Sequence, residues 1–192
     1  MRSVLRHIDT SLAALSRRRD FGRRLAFAID THSFENWLRT EIAAEISRGA
    51  YAAAANALWA HPEQDLRTDI PVKTHDGRTV AKVELKVLYN RTGRGKRNVE
   101  LLQGDISKLS NDACSCRVVL AMLVFLRYRP DVPWPHLKRL DTMDAFEREV
   151  RGGLRDPPGH RIVFKRHPVP VRALDWQETA QAVFLRGLLM TS

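Results

Sequence analysis

The sequence predicts an α/β fold built around one mixed sheet with helices on its faces. Three observations predict it. Residues 68–86, TDIPVKTHDGRTVAKVELK, form two alternating runs around an Asp-Gly turn signal, the pattern of a hairpin. A segment of helical periodicity precedes the hairpin and another follows it. Next comes CRVVLAMLVFLRY, residues 116–128, an almost unbroken apolar run with the length and β-branched content of a central strand covered on both faces.

The elements follow in chain order. In residues 3–29, Val4, Leu5, Ile8, Leu12 and Leu15 recur at helical spacing, so this stretch is an amphipathic helix or helix pair, with arginines 17–19, 23 and 24 on its other face. SFENWLRTEIAAEISRGA is a second helix, with Ser33 as N-cap and Gly49 closing it. Its apolar stripe runs through Phe34, Trp37, Leu38, Ile42 and Ile46; Glu41 lies inside the stripe and Glu35 at its edge. YAAAANALWA is a connector or a poor strand. After the hairpin, YNRTGRGKRN (89–98) is expected to be a basic glycine-rich loop. VELLQGDISKLSNDA is a helix with Leu101, Leu102, Ile106 and Leu109 inward. RPDVPWP marks a turn, DTMDAFEREVRGGL a helix ended by glycines, RIVFKRHPV a strand, and DWQETAQAVFLRGLLM a C-terminal helix.

The chain of 192 residues suits one domain, comprising an N-terminal helical extension (1–30), a core (33–128) and a C-terminal elaboration (129–192). Its formal net charge is +10, which favours a polyanionic partner, nucleic acid before anionic membrane. Cys114 and Cys116 lack zinc-knuckle spacing and fit thiols in a reducing cytosol. RRRDFGRR is not followed by the apolar stretch that an export signal needs, so a cytoplasmic location is expected.

The hairpin carries chemistry. A two-residue Asp76-Gly77 turn pairs His75 with Arg78 and sets Asp69 opposite Glu84. Lys86 lies two residues beyond Glu84 and points to the same face. Two carboxylates that close repel each other, and each tends to keep its proton. A divalent cation removes the conflict, and hard oxygen donors suit Mg²⁺ or Mn²⁺. The lysine can orient an attacking water and balance charge on phosphorus.

Asp69, Glu84 and Lys86, in the pattern D-x14-E-x-K and preceded by a helix with an inward glutamate, resemble the PD-(D/E)XK nuclease superfamily. That resemblance implies a restriction-endonuclease-like αβββαβ core with a mixed sheet flanked by helices, here with N- and C-terminal helical elaborations. It assigns Asp69 to the first motif strand, Glu84 and Lys86 to the (D/E)-x-K element, and Glu41 to the first core helix. QGDISKL resembles the helix that follows in several branches, with Gln103 and Lys108 as active-site contributors and Asp105 as a weaker one. The implied metal ligands are Asp69, Glu84 and Glu41, around Mg²⁺ or Mn²⁺. The implied activity is metal-dependent hydrolysis of DNA, with Arg91, Arg94, Lys96 and Arg97 following the phosphate backbone. DNA is the expected partner, no membrane association is expected, and a homodimer is left open. Two alternatives stand beside this reading: a catalytically silent nucleic-acid-binding or assembly module on the same fold, and an antibacterial nuclease toxin.

Overall fold

The structure, a computed structural model, describes residues 2–30, 34–51, 58–60, 69–90, 95–126, 142–169 and 180–191. In chain order the elements are α1 (Arg2–Arg17), α2 (Arg19–Asp30), α3 (Phe34–Tyr51), β1 (Leu58–Ala60), β2 (Ile70–Thr74), β3 (Thr79–Tyr89), α4 (Gly95–Ser110), β4 (Arg117–Leu126), α5 (Met143–Gly153), β5 (His160–Val169) and β6 (Ala180–Thr191). The six strands form one mixed sheet in the order β1-β2-β3-β4-β6-β5. Only β3 and β4 run parallel; their connection passes through α4, as a parallel pair requires.

Burial explains the element types. Every residue from Val118 to Phe125 in β4 is buried. Val118, Leu120, Met122 and Val124 pack with Ile8, Leu12, Leu38 and Ile42 of the N-terminal helices. Val119, Ala121, Leu123 and Phe125 pack with Leu102, Ile106 and Phe146 of α4 and α5. A strand covered on both faces reads as a continuous apolar run. Strand β3 alternates instead: Val83 and Leu85 join the core under α1–α3, which turns Glu84 and Lys86 to the α4 face. Among the described residues no helix is long and apolar enough to cross a membrane.

Four expectations are corrected. The C-terminal segment from Ala180 is a strand, not a helix, so the C-terminal elaboration adds α5 and two strands. Strand β6 lies between β4 and β5 and is apolar on both faces, and periodicity cannot separate such a run from a buried helix. Residues 95–98, expected in a loop, already belong to α4. Leu101, expected inward, is 47% exposed, because the buried stripe of α4 runs through Leu102, Ile106 and Leu109. The hairpin turn has three residues, not two: Thr74 N–H donates to Arg78 O and Gly77 N–H to Thr74 O, both at 2.9 Å. Gly77 takes φ +84°, the left-handed position that such a loop gives to glycine. Ser33 and the RPDVPWP turn lie outside the described residues.

Gly187 of β6 is where the sheet meets its packing most closely. A Cβ there would lie 2.7 Å from Val119 Cγ1, 3.0 Å from Phe164 Cε1 and 3.1 Å from Ile162 Cγ2. Gly187→Ala is therefore expected to cost about 1–3 kcal/mol in chemical denaturation, by overpacking. Gly104→Ala, in α4 with open space around it, is expected to gain about 0.5–1 kcal/mol. Equal effects at the two sites would contradict this packing.

Candidate functional site

The site begins with a strand edge. The described β2–β3 ladder pairs Ile70 with Val83, Pro71 with Lys82 and Val72 with Ala81, then shifts register to pair Lys73 with Thr79. The extra residue in the turn and this bulge cancel, so the pairs nearest the site keep the register expected from the sequence. The chain bends at Asp69, and β2 begins at Ile70. Beyond Val83, the next two N–H groups on that edge of β3 donate to side chains. Leu85 N–H donates to Asp69 Oδ2 at 2.7 Å, and Val87 N–H to Glu35 Oε2 at 3.5 Å.

Those two carboxylates therefore flank Glu84 and Lys86. Lys86 Nζ lies 3.6 Å from Glu35 Oε1 and 3.8 Å from Asp105 Oδ2. Lys108 Nζ lies 2.9 Å from Glu84 Oε1. Asp105 and Lys108 are three residues apart on α4, so they share a helix face. Arg39, one turn after Glu35 on α3, binds Asp69 Oδ1 at 2.8 Å. The cluster thus holds four carboxylates (Glu35, Asp69, Glu84, Asp105) and three cations (Arg39, Lys86, Lys108).

Glu84 is the most buried of these groups, at 2% exposure. Burial pushes its pKa from 4.5 up to about 7; the repulsion of Asp69 and Asp105 adds to this, and Lys108 opposes it. Asp105 is also raised, first by burial and then by Asp69 and Glu35, against the pull of Lys86 and Lys108. Two buried oxygens, Glu84 Oε1 and Asp105 Oδ2, accept no well-directed hydrogen bond. The contact of Lys108 with Glu84 is an ion pair without that direction.

The structure thus brings Asp69, Glu84, Lys86, Lys108 and Asp105 together. It takes two expected residues elsewhere. Glu41 pairs with Arg24 at 2.9 Å and lies 3.9 Å from Arg18, between helices. The α3 glutamate of the cluster is Glu35 instead. Six residues separate the two, about 240° around the helix. Helix α3 packs on the sheet face opposite Glu84, and Glu35 lies in its first turn. The sequence signal for it was Arg39 one turn later, which fits an ion-paired face outside the apolar stripe. Gln103 is also outside the cluster: its amide donates to Arg155 O at 3.1 Å and accepts from Arg155 N–H at 2.8 Å. It stands two positions from Asp105, on another side of α4. Arg91 and Arg94 lie outside the described residues; Lys96 and Arg97 are backbone positions of α4.

The donor chemistry suits a hard divalent cation. Glu84 and Asp105 each offer a buried oxygen without a directed donor, and burial and neighbouring negative charge raise the pKa of each. Among the described residues no three acidic, histidine or cysteine groups already converge to hold an ion. Lys108 and Arg39 stand where a cation's charge would otherwise act.

No protein-family model, curated protein or solved structure matches this chain.

The titration of Glu84 affects stability. Between pH 4.5 and about 7 the folded protein keeps a proton on Glu84 that the unfolded chain has lost. The folded state then binds more protons, so stability falls as pH rises through this window. Glu84→Gln removes that loss. In urea denaturation the variant is expected to gain on the wild type between pH 5 and pH 8. A difference between the two proteins that stays constant over that range would contradict the raised pKa.

Proposed function

We propose that this chain is a metal-dependent nuclease that hydrolyses DNA phosphodiester bonds on a restriction-endonuclease-like core. One observation carries the reading: the buried carboxylate of Glu84, with a pKa near 7, is crowded by Asp69 and Asp105 beside Lys86 on one strand. The succession α3-β1-β2-β3-α4-β4 supports it, as the αβββαβ order that the resemblance implies. The net charge of +10 supports a polyanionic substrate.

Glu84 and Asp105, with Asp69 beside them, would hold Mg²⁺ or Mn²⁺. When bound, the ion would supply Lewis-acid activation of water and neutralise charge on the phosphate. The other roles belong to the chain. Lys86 is held loosely between Glu35 and Asp105, at distances longer than a hydrogen bond, so its ammonium is free to turn towards a water or a phosphate oxygen. Glu35 and Asp69 fix the strand edge through the N–H groups of Val87 and Leu85 and hold the charges around Lys86 in place. Lys108 balances Glu84 while the site lacks substrate.

A second reading is a catalytically silent nucleic-acid-binding module on the same scaffold. The ion pairing favours it: both Asp69 oxygens are engaged, by Arg39 and by Leu85 N–H, and Lys108 sits on Glu84. In that case the cluster is a structural charge network.

Cleavage of plasmid and oligonucleotide DNA with Mg²⁺, Mn²⁺ or EDTA separates the two. The nuclease reading expects metal-dependent cutting that falls by about 10²–10⁴-fold in Glu84→Gln and in Lys86→Ala, with DNA binding retained. Glu35→Gln is expected to reduce cutting more than Glu41→Gln, because only Glu35 touches the cluster. Cutting that persists in EDTA or survives Glu84→Gln would rule out the mechanism. A folded wild type that binds DNA and cuts with no metal would favour the silent module.

A further inference from the structure

A second charged feature lies on α1. Arg2, Arg6, Thr10, Ala13 and Arg17 follow one another at helical spacing along its outer face. Together with Lys165 and His167 of β5 they line a groove of about 620 Å³. Thr10 and Ala13 are short, so the middle of the groove is low and its flanks are cationic. Arg2, Arg6 and Arg17 are exposed, and none of the ion pairs among the described residues includes them. Arg17 Nε donates to Ala13 O at 3.1 Å, which lays its guanidinium back along the helix.

Among the described residues of the lining the one carboxylate, Asp9, is already neutralised. It accepts from Arg186 at 3.0 and 3.1 Å, pairs with Lys165 at 3.0 Å and meets His167 at 3.2 Å. Arg186 is 4% exposed, so its charge sits beneath the groove. The groove is therefore net positive, with Arg2 and Arg6 towards one end and Arg17 towards the other. From Arg2 to Arg17 the helix runs roughly 22 Å at 1.5 Å per residue. Measured along a duplex axis, that length spans about six charges of one strand, at 3.4 Å of axis per charge.

An anionic membrane is the other polyanion to consider. A helix that lies on a membrane needs its apolar face free to enter the lipid. Here Ile8, Leu12 and Leu15 are buried in the core, so α1 has no apolar face to offer. The groove also lies apart from the carboxylate cluster. Strand β5 is the sheet edge three strand spacings from β3, about 14 Å, and α1 covers the face away from Glu84 and Lys86.

We propose that the α1–β5 groove is a separate nucleic-acid contact, which tracks one phosphodiester backbone through Arg2, Arg6, Arg17 and Lys165. It rests on the reading of nucleic acid as the partner but not on cleavage.

The test is fluorescence anisotropy with a labelled mixed-sequence DNA duplex over a range of salt concentrations. Two variants of equal net charge are compared, Arg2→Ala/Arg6→Ala/Arg17→Ala and the control Arg19→Ala/Arg148→Ala/Arg155→Ala, with circular dichroism as the folding check. The groove variant is expected to bind about tenfold or more weakly and to lose about 2–3 from the log–log salt slope, since each lost phosphate contact removes about 0.9. The control is expected to stay within about threefold of wild type. Equal losses in the two variants overturn the groove, and so does a groove variant that binds DNA normally while losing affinity for anionic vesicles. If the triple variant fails to fold, Thr10→Arg replaces it: the added cation is expected to tighten binding and steepen the slope by about one, and an unchanged slope overturns the proposal. Cleavage measured on the same proteins keeps the two readings apart. A wild type that binds through the groove but never cuts removes only the nuclease reading. A wild type that cuts while its groove variant binds normally removes only the groove.

Discussion

Two N–H groups on one edge of β3, those of Leu85 and Val87, organise the candidate site. The described ladder to β2 ends at Ile70 and Val83, so the next donors on that edge need other partners. Leu85 is fully buried, and a buried amide left unpaired costs about 1–3 kcal/mol. Asp69, at the bend that opens β2, and Glu35, in the first turn of α3, supply the acceptors. A backbone requirement thus fixes two carboxylates beside a strand whose alternating face already carries Glu84 and Lys86.

The electrostatics follow from that arrangement. Four carboxylates close together in a partly dry place are costly, and the chain offsets the cost in two ways. It adds cations from the neighbouring helices, Arg39 on Asp69 and Lys108 on Glu84. It also lets two of the acids rise in pKa, Glu84 to about 7 and Asp105 in the same direction, both chiefly through burial. Under the proposed function, both devices would let the site take up positive charge, by exchanging a proton or a lysine contact for a cation. That capacity distinguishes this cluster from the Asp9–Arg186 group, where a lowered carboxylate pKa and a bidentate arginine make a fixed anchor between α1 and the sheet.

Much of this was legible in the sequence, for physical reasons that differ by element. The hairpin register was readable because the Asp-Gly signal fixes the turn region and one face is apolar. The true turn is one residue longer, and the bulge opposite Val72 and Lys73 restores the pairing. Asp105 and Lys108 were readable as a helix pair three residues apart. Glu35 is not legible, because apolar periodicity favours a glutamate inside the stripe, whereas reach past the sheet edge depends on the packing of α3. The motif context points Gln103 to the site, whereas its partner Arg155 is 52 residues away in sequence. Strand β6 carries the signal of a helix because a run buried on both faces and almost wholly apolar has no distinguishing period, and its pairing with β4 and β5 is a long-range fact.

Glu84 is a buried carboxylate with a raised pKa, and the proposed function requires it to exchange its proton for a cation. Carbon-13 NMR of the glutamate side-chain carboxyls, with Glu84 assigned by its Gln substitution and followed from pH 4 to pH 9, tests it most directly. A midpoint near 7 is expected in metal-free buffer, and a lower midpoint once Mg²⁺ is added, because a bound cation favours the ionised form. A midpoint in the ordinary carboxylate range near 4.3, unmoved by Mg²⁺, would contradict it.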